Sequence, residues 1–250
     1  MGLKKEDWKI LDKMAFAIKP VGVTYLVHPP KSVPKLKEKM ALCEMLKKAQ
    51  KDDPFYVDAE NHGCEAGAFV LGQEEVQQPF ISGGFGAGLG AFKDLRAAAR
   101  VYNYIPKITQ KVLNYVAFAA LDTSGDSDEE MDAPDVTIIL ADTRQTWILL
   151  RAMSYETGEG WEGHFSPVIG CAWLFAWPYI HGKVNSVTSG LGFGMRRRKL
   201  FPEGLQFIAV PFDRWPSILR VLKEMPWTPE PFKPNGFEYV KQLRSRLNID

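Results

Sequence analysis

Two short β-branched runs, each followed by a helical pattern, constrain the fold of this chain more than anything else in it. Val21 to Val27 is apolar and β-branched and runs into His28-Pro29-Pro30, which cannot continue a strand, so it reads as a short strand with a hard stop. Val136 to Ala141 is a second such strand. The spacing predicts a helix after each, over Lys35 to Lys51 and over Thr143 to Met153, the latter with Thr143 as N-cap. Trp8, Leu11, Ala15 and Ile18 recur at helical spacing, which predicts an amphipathic helix from Lys5 to Lys19 ended by Pro20. The apolar end of Thr109 to Leu121 predicts a further strand.

The two stretches resemble one another. Gly22-Val23-Thr24-Tyr25-Leu26-Val27 and Asp135-Val136-Thr137-Ile138-Ile139-Leu140 each lead into a helix, an irregular stretch, and then Gly63-Cys64 or Gly170-Cys171. Glycine-rich segments follow both cysteines, at Gly83 to Gly90 and Gly190 to Gly194, and each half has a later apolar segment closed by Pro106 or Pro216. The expected fold is therefore α/β (α+β), with an internal duplication of an α/β unit into two pseudo-symmetric halves. Residues 1–122 form the first half with its N-terminal helix, residues 134–250 the second with a C-terminal helix, and the acidic stretch 123–133 a linker or hairpin.

Charge narrows the function classes. Across 250 residues, 31 Lys and Arg stand against 30 Asp and Glu, so no global field draws the chain to nucleic acid or to a membrane. The N-terminus carries Lys and Glu throughout, and the most apolar run, Val168 to Ile180, stops at His181-Gly182, short of the ~18 residues of a membrane span. Glu6 stands where a myristoylation signal has Ser or Thr. A cytoplasmic protein is expected. Its partners would be a small molecule, a redox partner protein or a second copy of the chain.

Three cysteines, Cys43, Cys64 and Cys171, are an odd number in a chain without an export signal, so a disulfide framework explains them poorly. Cys64 and Cys171 each precede a segment with helical character, Glu65 to Leu71 and Ala172 to Trp177, and the positive end of a helix dipole favours thiolate. Three thiolates can hold one iron-sulfur cluster and leave an iron open to a fourth ligand. The spacing matches no Cys-x-x-Cys pattern, so the fold would have to assemble such a site. The metal ligands expected are Cys43, Cys64 and Cys171, with His62, two residues before Cys64, as a fourth ligand or supporting group. His28 reads as structural, and His164 and His181 flank Cys171 in sequence.

Other features carry less. Gly83 to Gly90 fails as a dinucleotide fingerprint, since no strand leads into it and no acidic residue follows at the ribose-binding distance; it reads as a tightly turning loop. Arg196-Arg197-Arg198-Lys199 is a cationic cluster that suits an anionic ligand, with Arg196 taken as a cofactor-binding residue. Trp161, Phe165, Trp173, Phe175, Trp177 and Tyr179 crowd around Cys171 as core or as the wall of a pocket. Paired carboxylates, a nucleophile elbow and a phosphate loop are missing, so hydrolase, kinase and dehydrogenase readings have no support.

Pro20-Val21-Gly22-Val23, Cys43 with Ala49, and His62-Gly63-Cys64-Glu65-Ala66-Gly67-Ala68 with Gly72 resemble the archaeal conserved region family, a family of domains of unknown function. Gly170-Cys171 and Gly194-Met195-Arg196 resemble its second-half landmarks, and the likeness runs from about Trp8 to Met225. It implies an α/β protein with recurring cysteines in an anaerobic, cytoplasmic setting. Phe193 stands where a further cysteine would be looked for, so no fourth thiolate is expected. The leading expectation is an iron-sulfur or metal-binding protein with a redox or electron-transfer role. The rivals are a non-catalytic small-molecule or cofactor-binding module with its pocket between the halves, and a thiol enzyme using Cys64 with His62 as base.

Overall fold

The computed structural model describes residues 3–51, 53–75, 77–121, 133–189 and 193–249. Its frame is one antiparallel sheet of six strands: β1 (Val21–Leu26), β2 (Phe55–Val57), β3 (Tyr115–Ala120), β4 (Val136–Ala141), β5 (Asn185–Thr188) and β6 (Gln206–Pro211), in the order β2-β3-β1-β4-β6-β5. The strand order is mirrored about the centre, where β1 and β4 pair with Val23 opposite Val136. β4 is buried along its whole length, which explains why Val136 to Ala141 is an unbroken apolar run rather than an alternating one.

The helices among the described residues are α1 (Lys5–Trp8), α2 (Leu42–Ala49), α3 (Glu65–Val70), α4 (Gln78–Ile81), α5 (Gly84–Gly88), α6 (Leu95–Tyr104), α7 (Thr143–Ser154), α8 (Ala172–His181), α9 (Phe193–Arg197), α10 (Trp215–Glu224) and α11 (Gly236–Arg246). Those packed on the sheet divide between its two faces as the strand alternation dictates. Val21, Val23, Val136, Ile138, Phe207 and Ala209 point into one core with α2, α3, α6 and α8, whereas Ile139, Ala141, Ile208 and Val210 point into a second core with α7 and α10. The helix after β1 and the helix after β4 thus lie on opposite faces. No described helix is long and apolar enough to cross a membrane.

Several elements differ from the sequence expectation for identifiable reasons. The N-terminal helix ends at Trp8 and tightens into a 3₁₀ turn over Lys9–Met14, closed by Ala15 in the left-handed region rather than by Pro20. The expected helix from Lys35 begins only at Leu42, because Leu36 N–H and Tyr56 N–H bond between the Pro34–Leu36 stretch and the β2 segment instead. Asp142, one residue before Thr143, caps α7: its carboxylate accepts from Gln145 N–H while Gln145 Oε1 accepts from Asp142 N–H. Of the apolar segments closed by Pro106 and Pro216, the first is helix α6 and the second is strand β6. The acidic linker expected over 123–133 lies, save its last residue, outside the described residues, as do residues 190–192 of the second glycine-rich segment.

Candidate functional site

Cys43, Cys64 and Cys171 lie on the wall of one cavity of about 600 Å³, although 21 and 107 residues of chain separate them in turn. Each stands at the start of a helix: Cys43 is the second residue of α2, Cys64 the N-cap of α3 and Cys171 the N-cap of α8. The wall is drawn from two stretches of chain, residues 41–102 and 168–198.

Local backbone bonds bring Cys43 and Cys64 together. Met40 N–H donates to Asn61 O at 2.9 Å and Gly63 N–H donates to Met40 O at 2.8 Å, so the strand-like approaches to α2 and α3 run side by side. Asn61, buried, holds the same pair through Asn61 Nδ2 donating to Leu36 O at 2.6 Å. Gly67 lets the two helices close up, since a Cβ there would stand 2.9 Å from Leu42 Cβ. Cys171 is set by a separate group of contacts. Trp173 Nε1 donates to Ser166 Oγ at 2.8 Å, Ser166 Oγ donates to Val168 O at 2.6 Å, and Tyr25 Oη donates from β1 to Phe175 O at 2.8 Å. Between Val168 and Cys171, Ile169 lines the cavity with φ of 52°, a left-handed conformation that costs a β-branched residue about 1–2 kcal/mol.

Burial governs the thiols. It pushes Cys43 up to about 11, with the Arg198 guanidinium pulling the other way and Cys64 and Glu44 adding to the rise. Burial also raises Cys171 well above the ordinary thiol value, followed by the influence of Cys64 and Cys43. All three sulfurs are therefore within electrostatic reach of one another. Cys171 keeps partial exposure where the cavity opens onto it, yet the surrounding apolar mass still withholds solvation from a thiolate. The dipole of α8, which by itself favours thiolate at Cys171, is outweighed by this desolvation.

The remaining site residues separate into those on the cavity and those off it. His62 is not on the cavity wall; it packs beneath Gly67, with Nε2 sharing a 2.5 Å hydrogen bond with Gln73 Oε1, Nδ1 buried without a partner, and burial lowering its pKa. Arg196 is also off the wall, and its neighbours Arg197 and Arg198 line it instead. Arg198 is held there by Glu44, Nε to Oε1 at 3.2 Å, while Glu44 Oε2 accepts from Ala41 N–H at the start of α2. Glu44 is thus a supporting residue that sequence reasoning missed, because Ala41 stands where a capping box has Ser or Thr and so gives no signature. The aromatics that crowd Cys171 in sequence turn away: Trp173, Phe175 and Trp177 are buried in the core, and His164 and His181 pack on Trp177 at 4.8 and 5.0 Å. The cavity's rings are Phe80, Phe85 and Tyr102. Gly83 to Gly90, expected as a loop, is mostly helix α5, which packs on α6; Gly83 has φ of 80° and a Cβ there would stand 2.2 Å from Leu95 O.

Among the described residues, no three His, Cys, Asp or Glu side chains are placed to hold a single metal ion. Three thiols share the wall of the open cavity, and thiolate is a donor type taken by zinc and by iron-sulfur clusters alike.

The family model described as uncharacterised ArCR, the archaeal conserved region, matches residues 9–220. The chain belongs to this family. The chain is also 25% identical over 226 residues to the uncharacterised protein MJ0308 of Methanocaldococcus jannaschii, covering 88% of this chain and 93% of that protein. No solved structure matches the chain.

Proposed function

We propose that this archaeal conserved region protein binds an iron-sulfur cluster through Cys43, Cys64 and Cys171 and serves a redox or electron-transfer role in an anaerobic cytoplasm. The observation that carries the reading is the meeting of all three cysteines, from three separate segments, on one cavity wall. Held by these three cysteines, a cluster would supply one-electron chemistry. The chain's own residues do the rest. The Arg198 cation offsets thiolate charge beside Cys43, the apolar walls limit access of water, and His62 supports the Gly67 contact from below rather than ligating. Metal must displace the thiol protons that burial otherwise retains, so loading should strengthen as pH rises.

The mirrored strand order supports reading the sheet as a duplication at the level of the strands, with β1, β3 and β2 answering to β4, β6 and β5, although α2 and α7, on opposite faces, do not follow the same relation. In that scheme the two Gly-Cys elements are not counterparts, since Cys64 follows β2 and Cys171 precedes β5. The three-thiol site would then have been assembled across the halves rather than inherited from a single one.

The deciding experiment is iron and acid-labile sulfide analysis with a visible spectrum on protein purified without oxygen, for the wild type and Cys64→Ser. Near-stoichiometric iron and sulfide that disappear in the variant support a cluster. A colourless protein after anaerobic reconstitution, or full retention of iron in Cys64→Ser, overturns it.

A further inference from the structure

The three thiols make up only part of the cavity wall. The rest includes Phe80 and Phe85, 4.6 Å apart between ring centres, with Tyr102 edge-on to Phe80 at 5.7 Å. Phe85 is 43% exposed and Leu89, also on the wall, 39%, so both offer apolar surface to a molecule entering the cavity. A volume of about 600 Å³ falls in the range of small-molecule sites. The charges on the wall are uneven. Arg198 is satisfied by Glu44 and by Gly194 O, whereas Arg197 has no hydrogen-bond or ion-pair partner among the described residues. Glu65, the single carboxylate on the wall among those residues, is exposed, as is Arg197.

We propose that the cavity binds an organic monocarboxylate with an aromatic body, its ring against Phe80 and Phe85 and its carboxylate on the Arg197 guanidinium. An unpaired guanidinium presents a fork matched to a carboxylate, and a single one leaves half the charge of a dianionic phosphate unmet. The two phenylalanine rings supply apolar area and offset stacking for a flat body. The inference rests on the reading above only in taking the thiol part of the wall as occupied or reserved, and it concerns the remainder.

The test titrates phenylacetate, benzoate and the neutral phenylacetamide into the full chain, metal-free and after anaerobic reconstitution, by calorimetry and saturation-transfer NMR. Phenylacetate should bind about tenfold more tightly than phenylacetamide, the usual worth of one charge-assisted hydrogen bond. Arg197→Ala should remove that difference and leave amide binding unchanged. Phe85→Ala, at an exposed position where folding is not at stake, should weaken acid and amide alike by severalfold. Equal binding of acid and amide, an unchanged Arg197→Ala, or no binding of either at millimolar concentration overturns the proposal. Carboxylate binding by a chain that takes up no iron upholds this inference while the cluster reading fails. Iron loading without carboxylate binding does the reverse.

Discussion

At the scale of single residues, the cavity thiols show how an environment overrides intrinsic chemistry. Cys43 is raised from 9.0 to about 11 because burial penalises its thiolate more than Arg198 favours it. The folded state then holds a proton that the unfolded chain gives up. This contribution is fully present below pH 9.0 and is lost as pH rises through about 11, with an expected span of about 2–3 kcal/mol. Metal-free protein should therefore melt progressively earlier across that window, and Cys43→Ala should lessen the dependence while the share owed to Cys171 remains; a Cys43→Ala profile that falls as steeply as the wild type contradicts the assignment. The same protonation makes Cys43 and Cys171 poor nucleophiles, so in metal-free protein both should resist iodoacetamide at neutral pH and react only after unfolding, as peptide mass mapping would show.

Among the elements, the pieces that deliver the cysteines are held by a few specific contacts. Gly67 decides how closely α3 approaches α2, and a methyl group there meets Leu42 Cβ at 2.9 Å. Gly67→Ala should cost about 1–3 kcal/mol by chemical denaturation and lower iron retention in the folded fraction, because it separates the carriers of Cys43 and Cys64. Asn185, fully buried on β5, ties the approach to α8 in place: its Oδ1 accepts from His164 N–H at 2.8 Å and its Nδ2 donates to His164 O and Trp173 O at 2.9 and 2.7 Å. Asn185→Ala would strand three backbone groups and should destabilise by about 2–4 kcal/mol in urea titrations. The sequence reading covers the segment of Gly67 but places no strand at Asn185–Thr188. The partners these two residues touch are not visible in it, because the chain separations involved run from 12 to 25 residues and no local periodicity encodes them.

Over the whole molecule, the sheet separates two cores that can be perturbed independently. Trp8 is fully buried against Trp215 at 4.8 Å in the core that faces away from the cysteines. Trp8→Ala should lose about 3–5 kcal/mol, yet the surviving folded protein should keep whatever iron or carboxylate the wild type binds, since the cavity lies across the sheet. A matching loss of ligand at unchanged secondary structure, measured by circular dichroism beside metal analysis, would show that the two faces are coupled.

Local pattern is enough to encode the β-branched runs of β1 and β4, the helices α3, α7 and α8, the α/β class, the family landmarks from Cys43 to Gly72, and three thiols without a ligating spacing. It does not encode that those thiols share one cavity, that Arg197 and Arg198 rather than Arg196 line it, that His62 turns to Gln73, or that Phe80, Phe85 and Tyr102 rather than the rings beside Cys171 face it; these emerge in the folded chain. One cause underlies each case. Side-chain direction at a helix start and the face a helix covers are set by close packing between segments far apart in the chain, and a sequence specifies that packing only collectively.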